Sequence, residues 1–356
     1  MLSRKKFLQN VIATATGTAL MGFKSFATPN QDATGISFDF HCHPGRFYGR
    51  GMAGYENDDA FLKTVKEMNE SHLSGAFFSL VADSLLLQPG PTGIKVLGTY
   101  KPGDGWKEYT RQMTQLKDIF KANKIRLATK SSDLVPYPQN NTVAAYVAVE
   151  GGDFLEGSTE RLDQAYADGV RSVQLVHYAP NELGDLQTEI SMHNGLSKFG
   201  KDVVRKMNKL GMVIDAAHAS FKTAKDIADT SDAPILLSHS ILEMEPDRPI
   251  AKRAISKEHA KVIAQTGGVI GAWPSGFNKS FDEYIDNIMR LVDVAGVDHV
   301  GLGTDMDSNF KPVLSSYTQL PQWMEALQKK GLSFQEVQKV AGGNAARLLG
   351  KVLKKS

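Results

Sequence analysis

Eight short apolar runs, rich in β-branched and aromatic residues, recur along this chain of 356 residues. They are residues 36–43, 75–82, 143–150, 170–177, 212–218, 234–239, 268–273 and 299–305. Longer amphipathic stretches fill most of the gaps, at 58–71, 106–122, 158–168, 198–210, 256–265 and 280–294. Strands that alternate with helices in this way are typical of βα units and predict a parallel sheet.

The number of strands indicates which α/β architecture the chain adopts. Eight parallel strands with helical crossovers predict an α/β fold, the (β/α)8 TIM barrel of metal-dependent hydrolases, with a doubly wound open sheet as the alternative. A ninth strand-like run at 125–128 leaves the count open by one. The segment 88–105, rich in Pro and Gly, is interpreted as a long loop after the second strand, because the βα pattern continues on both sides of it.

The composition restricts the classes of protein that this chain could be. Its 42% hydrophobic and 22% charged residues indicate a globular chain with a large core, and exclude a mainly disordered, collagen-like or polytopic membrane protein. A single cysteine, Cys42, excludes an intrachain disulfide and a cluster of thiolate zinc ligands. The formal charge of +2 gives no indication of a nucleic-acid partner, and a homodimer stays open.

Residues 1–27 have the pattern of an export signal peptide. They carry four cations and no acid, an uncharged stretch at 11–23 and small residues before a cleavage site after Ala27. The start resembles a twin-arginine signal with Lys5 in place of the second arginine. We therefore expect a periplasmic or otherwise exported protein with a single domain over 28–356 and no stable membrane span; a buried N-terminal helix is the alternative. Without the four cations, 37 basic and 39 acidic residues remain, a formal charge of −2.

Polar residues close most of the apolar runs, at the ends where a barrel of this type builds its catalytic site. One such histidine alone would more often be a hydrogen-bonded structural residue. Together they predict a metal site, because zinc and similar divalent ions bind imidazole nitrogen and carboxylate oxygen. The residues are His41, His43, Glu150, His177, His218, His239 and Asp305.

The first strand offers two of these histidines on one face. Side chains alternate along a strand, so His41 and His43 point the same way and can bind one ion inside the barrel. Cys42, between them, is expected to face the helix layer as an inert core residue.

The later strands offer a second group. His218 and His239 come from neighbouring strands and can bind a second ion, while Glu150 has two oxygens with which to bridge both metals. Asp305 is suitably placed to accept a proton from a metal-bound water.

Several longer motifs, in this order and spacing, resemble the renal (membrane) dipeptidase family of zinc peptidases, within the metal-dependent amidohydrolase superfamily. The matching segments cover most of the chain from about residue 36 onward. They are 149–152, 169–171, 175–177, 181–185, 195–200, 207–212, 217–220, 238–240, 267–271, 297–301 and 342–344.

The resemblance implies a binuclear zinc centre on a barrel. It implies metal ligands at His41, Glu150, His218 and His239, with Glu150 bridging. It further implies that His177 contacts the substrate and polarises the scissile carbonyl, that Asp305 handles the proton, and that an arginine binds the substrate carboxylate. Arg253 is the best match for that arginine, and Arg248 is its rival.

One departure concerns the first strand. The family usually has His-x-Asp there, whereas this chain has His41-Cys42-His43, the pair usual in the wider superfamily. A neutral ligand in place of an anion makes the site one unit more positive, which leaves metal preference and substrate class open. The segment 85–106 matches no family pattern and could reshape the mouth of the site.

These observations lead to one hypothesis and two alternatives. The hypothesis is an exported hydrolase with two divalent ions, zinc by preference, that cleaves the amide of a dipeptide or similar small molecule through metal-bound hydroxide. One alternative is another amidohydrolase reaction, the opening of a lactam, lactone or cyclic imide. The other is a catalytically silent periplasmic binding protein, although Asp305 argues against it, because pure binding has no use for a proton shuttle.

Overall fold

The computed structural model describes residues 35–354, except 91–92, 138, 140–141 and 246–251. The predicted export signal, 1–27, therefore lies outside the described residues. Within them the chain forms eleven strands: β1 (Phe38–Cys42), β2 (Gly75–Val81), β3 (Leu87–Gly90), β4 (Gly93–Val96), β5 (Leu127–Ala128), β6 (Ala144–Glu150), β7 (Val170–Gln174), β8 (Val213–Asp215), β9 (Leu236–Ser240), β10 (Val269–Ala272) and β11 (Val300–Leu302).

Eight of these strands close into a parallel barrel, which confirms the predicted (β/α)8 fold. The order around the ring is β1, β2, β6, β7, β8, β9, β10 and β11, and β11 pairs with β1. The pairing of β2 with β6, from Gly75 opposite Ala144 to Val81 opposite Glu150, closes the sheet and excludes the open alternative. The ninth run forms the short strand β5, which pairs with β6 at Leu127 and Ala145.

Ten α-helices lie within the described residues. They are α1 (Asp59–Glu70), α2 (Asp104–Asn123), α3 (Glu160–Asp168), α4 (Lys198–Leu210), α5 (Phe221–Thr230), α6 (Lys257–Gln265), α7 (Phe281–Ala295), α8 (Leu320–Lys329), α9 (Phe334–Gln338) and α10 (Asn344–Val352). None of these helices is long and apolar enough to cross a membrane.

Six helices agree with the predicted stretches to within about two residues, whereas α5 and α8–α10 were not among those stretches. The reason is clearest for α5, whose buried face consists of Thr223, Ala224 and Ile227. Such small side chains produce only a weak apolar periodicity. After α3 and α4 the chain returns to the sheet at Gly169 and Gly211, whose φ angles of 107° and 77° suit a glycine C-cap.

Three strands end three residues earlier than predicted, and this corrects the positions of three site residues. Strands β7, β8 and β11 end three residues before His177, His218 and Asp305 respectively, so these side chains lie on the loops that leave the barrel. The backbone turns sharply at His218 and Asp305, with φ of 63° and 52°. Left-handed conformations of non-glycine residues cost energy and concentrate at functional sites.

The segment predicted as a long loop, 88–105, contains regular structure. Strands β3 and β4 form an antiparallel hairpin outside the barrel, and α2 begins at Asp104. The prediction missed the hairpin because Pro and Gly occupy positions in it that normally interrupt strands.

Cys42 lies on the face of β1 that packs against the helices, as predicted. It is fully buried in the same apolar cluster as Phe61 and Met68 of α1, and its thiol donates to the carbonyl oxygen of Phe77 at 3.3 Å. Burial raises the pKa of the Cys42 thiol well above its usual range. A protonated, enclosed thiol is unreactive, which agrees with a core role.

Candidate active site

One carboxylate lies at the centre of the predicted cluster, at the carboxyl end of the barrel. Oε1 of Glu150 is 3.4 Å from Nε2 of His41, 3.2 Å from that of His177 and 3.4 Å from that of His218. The distance to Nε2 of His239 is 3.8 Å. All of these side chains are buried, and Glu150, His177, His218 and His239 border a cavity of about 240 Å³, slightly below the usual size of ligand pockets.

The imidazoles form the two pairs that the sequence predicts. The Nε2 atoms of His41 and His43 are 3.0 Å apart, and those of His218 and His239 are 3.1 Å apart. The other oxygen of Glu150, Oε2, is 3.3 Å from Nε2 of His43. Glu150 therefore lies between the two pairs, as a bridging ligand would.

Three groups of side chains have ligand atoms that all lie within 4.8 Å of one another. They are His41, His43 and Asp305; His41, Glu150 and His239; and Glu150, His177 and His218. The structure thus adds Asp305 to the first-strand pair and brings His177 beside Glu150. Imidazole nitrogens and carboxylate oxygens are the donors that zinc and related divalent ions take, so this set fits such a metal.

Three of the candidate ligands, Glu150, His218 and His239, are held in the protonation state that binds a metal. Burial raises the pKa of Glu150, but the neighbouring His177 and His41 outweigh it and hold that pKa well below its usual range. Burial and the charge of Arg253 lower the pKa of His218 well below its usual value. Burial and His41 do the same for the pKa of His239. A carboxylate and neutral imidazoles are the forms in which these groups bind metals.

Two of the candidate ligand imidazoles have a hydrogen-bond partner at their other ring nitrogen, Nδ1. Nδ1 of His43 is 2.8 Å from the carbonyl oxygen of Ser79, and Nδ1 of His239 is 3.0 Å from Oγ of Ser238. Such contacts fix the orientation of the ring and leave Nε2 free to bind a metal ion. Nδ1 of His218 is buried and has no hydrogen-bond partner within the described part of the chain.

Backbone hydrogen bonds connect the loop after β11 to the end of β1, and they position Asp305. The backbone N–H of Asp305 donates to the carbonyl oxygen of His41 at 2.8 Å, and that of His43 donates to Met306 at 2.9 Å. Oδ1 of Asp305 then lies 3.3 Å from Nε2 of His43. Burial by itself lowers the pKa of His43, but Asp305 and Glu150 outweigh burial and raise it well above the usual value.

Arg253 contributes a buried cation beside the imidazoles. It is 7% exposed, donates to Oε1 of Gln187 at 2.5 Å, and has Nη2 3.4 Å from Nε2 of His239. Its guanidinium also lies 5.5 Å from the ring centre of Trp273. Within the described ranges no carboxylate lies within ion-pair distance of Arg253, which suits the binding of an acidic ligand group. The rival, Arg248, lies outside the described residues.

A metal-binding cluster at the carboxyl end of a barrel agrees with the family to which the sequence is similar. The sequence profile of the membrane dipeptidases, peptidase family M19, matches residues 36–356, nearly the whole chain. The chain belongs to the membrane dipeptidase family. This membership confirms the resemblance that the sequence motifs indicate.

Two relatives illustrate how far the similarity to other membrane dipeptidases extends. Dipeptidase tcpJ of Claviceps purpurea is 30% identical over 243 residues, which cover 65% of this chain and 56% of that protein. An uncharacterized dipeptidase of Schizosaccharomyces pombe is 32% identical over 219 residues, 58% of this chain and 53% of the relative. The chain thus spans only a little more than half the length of these relatives.

Solved structures share the barrel of this chain. A metallopeptidase of Rhodobacter sphaeroides, bound to a phosphinate mimic of the dipeptide L-Ala-D-Ala, superposes with a TM-score of 0.74. The match covers 89% of this chain and 99% of the other, at 18% sequence identity. At that identity the likeness shows the fold.

Asp83 is a residue of the candidate site that the sequence does not predict. It follows β2, is fully buried, and its Oδ1 lies 2.6 Å from Nδ1 of His177. Its other oxygen accepts the backbone N–H groups of Tyr178 and Ala179 at 3.2 and 2.9 Å. Burial by itself lowers the pKa of His177, but Asp83 and Glu150 outweigh it and raise that pKa. The only signal in the sequence was an isolated aspartate at the end of an apolar run.

We expect Asp83→Asn to slow dipeptide hydrolysis, because the amide would no longer hold His177 in its present orientation. Loss of one aligned electrophile costs about 10²-fold in kcat, and a change confined to the transition state leaves KM nearly unchanged. Steady-state kinetics on a dipeptide would measure both constants.

Asp153→Asn is the matched control, because Asp153 is a partly buried acid whose charge interacts with that of Asp83. Burial and the charge of Asp83 raise the pKa of Asp153 to about 8, so it is largely neutral at pH 7 and an amide replaces it with little change. Equal losses of kcat in the two variants would contradict a positioning role for Asp83.

Proposed function

We propose that this chain is a metal-dependent hydrolase that cleaves the amide bond of dipeptides or similar small amides. The observation that carries the proposal is one cavity, lined by Glu150 and four histidines, in which Arg253 is a buried cation with no carboxylate within ion-pair distance among the described residues. The names of the relatives support it, as does the phosphinate dipeptide mimic bound to the Rhodobacter sphaeroides metallopeptidase.

Five residues would hold two divalent ions, zinc by preference, with Glu150 between them. The set is His41, His43, Glu150, His218 and His239. When bound, such ions lower the pKa of a water molecule and polarise a carbonyl oxygen. The chain's own task is to hold these side chains in place, to exclude bulk water, and to supply the groups that bind the substrate and move the proton.

Asp305 and His177 perform the remaining chemistry in this proposal. The carboxylate of Asp305, at the edge of the cavity, takes the proton from the attacking water and passes it to the leaving amine nitrogen. Nε2 of His177 points into the cavity and stabilises the negative charge that develops on the carbonyl oxygen. The breaking C–N bond leaves a neutral amine and a carboxylic acid that keeps the second proton of the water, and this acid then loses that proton to solvent or to the released amine.

Arg253 would bind the carboxylate at the end of the dipeptide, and this assignment separates a dipeptidase from a general amidase. We expect the protein to hydrolyse a dipeptide with a free carboxylate roughly 10²-fold more efficiently than the same dipeptide with a terminal amide, because an unpaired buried cation is costly. Arg253→Gln should reduce this ratio of kcat/KM to near one, mainly through a higher KM for the free acid.

Arg171→Gln is the matched control for this assay. Arg171 is also largely buried, but it lies at the start of β7 and donates to the carbonyl oxygens of Thr129, Tyr166 and Val170. Its replacement should lower stability and leave the ratio of acid to amide unchanged. A wild-type protein that hydrolyses both forms equally well would contradict the role of Arg253.

Export is also part of the proposal, and it rests on the basic, uncharged and small-residue segments of 1–27. The mass of the protein recovered from the producing cell would show whether the chain is cut after Ala27.

A further inference from the structure

The hairpin of β3 and β4 presents an apolar face to the active-site cavity. Leu87 pairs with Val96, and Pro89 pairs with Ile94. Leu87, Pro89 and Ile94 all line the cavity, together with the histidines and Glu150. Successive side chains of a strand alternate between faces, so Gln88 and Lys95 lie on the opposite face of the hairpin.

The base of the hairpin is fixed to the barrel. The backbone N–H of Leu97 donates to the carbonyl oxygen of Leu86 at 2.8 Å, and the hydroxyl of Tyr100 donates to that of Ala82 at 2.8 Å. Oγ of Ser84 donates to Glu108 of α2 at 2.7 Å. The apolar face formed by Leu87, Pro89 and Ile94, called here the hairpin wall, therefore has a defined position beside the cavity.

The hairpin wall and Arg253 lie on opposite sides of the cluster around Glu150. In the ring of eight strands, β2, which precedes the hairpin, is four places from β9 in either direction. Arg253 follows β9 and contacts His239 of that strand. A dipeptide that extends from the guanidinium across the centre of the barrel therefore reaches the hairpin with its other end.

The hairpin contributes no charged group to the cavity among its described residues. Among the described residues, the carboxylates that line the cavity are Glu150 and Asp305, and the guanidinium is that of Arg253. Ile94 is 40% exposed, and Leu87 is half-buried. A substrate side chain placed against them would remove this apolar surface from water, which favours apolar over polar groups.

We propose that the hairpin forms the subsite for the amine-side residue of the substrate, and that it selects dipeptides whose first residue is bulky and apolar. The inference rests on the proposed function, since it takes the orientation of the substrate from a carboxylate bound at Arg253. It also assigns a role to the segment 85–106, which the family motifs leave unexplained.

Two series of dipeptides test the inference on the metal-loaded protein. In one series the first residue changes from Gly to Ala, Leu, Phe and Lys before a constant Ala, and in the other the second residue changes after a constant Ala. We expect kcat/KM of the wild type to rise with the apolar size of the first residue. Ile94→Ala should reduce the ratio of Leu-Ala to Gly-Ala by roughly fivefold to tenfold, because it removes part of an apolar contact.

A gain of activity tests the same contact without the ambiguity of a damaged protein. Ile94→Asp should raise the ratio of Lys-Ala to Leu-Ala by roughly tenfold or more, because it places an anion beside the first side chain. Lys95→Ala changes the neighbouring residue on the opposite face and should leave every ratio at its wild-type value.

Three other results would each contradict a different proposal. An active wild type whose first-residue ratios are the same in both Ile94 variants overturns the hairpin subsite and leaves the proposed function intact. If the second-residue ratios change instead, the inferred orientation is wrong. A metal-loaded wild type that hydrolyses no member of either series overturns the proposed function, and the inference with it.

Discussion

Replacing Glu150 with Gln should abolish measurable dipeptide hydrolysis and remove metal from the protein. Glu150 contacts the imidazoles of both pairs, with Oε1 3.4 Å from Nε2 of His218 and Oε2 3.3 Å from Nε2 of His43. An amide offers one neutral oxygen where the carboxylate offers two charged ones. Metal ions contribute several kcal/mol to such reactions, so we expect a loss of roughly 10³-fold or more in kcat/KM.

Metal analysis of the same preparation distinguishes a specific loss of bound metal from general misfolding of the variant. Wild type should retain two ions per chain after gel filtration, and Glu150→Gln at most one. Glu108→Gln is the control for metal content, since Glu108 is a buried acid that pairs with Arg111 on α2 and contacts none of the candidate metal ligands. Two ions retained by Glu150→Gln would refute the bridging role.

Replacing Asp305 with Asn should leave the metal in place and stop turnover. Its Oδ1 lies 3.3 Å from Nε2 of His43, and its side chain lines the cavity. An amide of the same shape can still accept a hydrogen bond but cannot carry a proton from water to the leaving amine. General acid–base catalysis contributes about 10²–10⁴-fold, and we expect kcat to fall within this range while KM changes little.

This variant also distinguishes an enzyme from a binding protein on the same barrel. An enzyme loses kcat and keeps ligand affinity, whereas a pure binder is indifferent to the change. Asp307→Asn is the control, because Asp307 accepts hydrogen bonds from the backbone of Gly45 and the hydroxyl of Thr64 at 2.7 and 2.6 Å. It should lower stability without a selective loss of kcat. Unchanged kcat in Asp305→Asn would contradict the proton-transfer role.

The barrel was predictable because each of its strands is a short apolar run bounded by turns. The polar residues that end these runs could be grouped for the same reason, since parallel strands bring their carboxyl ends to one rim. His41 and His43 show this most simply, because their spacing alone places both rings on one face. The centre of the site thus follows from strand order and from the alternation of side chains.

The remaining features depend on contacts between residues distant in sequence. Asp83 gains its role only because the loop after β7 brings His177 beside it, 94 positions further along the chain. Neither the left-handed turns at His218 and Asp305 nor the early strand ends before them leave a signature in an apolar pattern. The β3–β4 hairpin was also missed, since its Pro and Gly residues favour a loop and its order depends on anchors such as Tyr100.

We propose above all that this barrel hydrolyses dipeptides with metal held by the cluster around Glu150. The most direct test is the rate of hydrolysis of one dipeptide with a free carboxylate, measured before chelation, after chelation and after zinc is added back. We expect the rate to fall by roughly 10²-fold or more when the metal is removed, and to recover when zinc returns. A rate that persists in protein shown to be free of metal, or no hydrolysis by protein shown to hold it, would contradict the account.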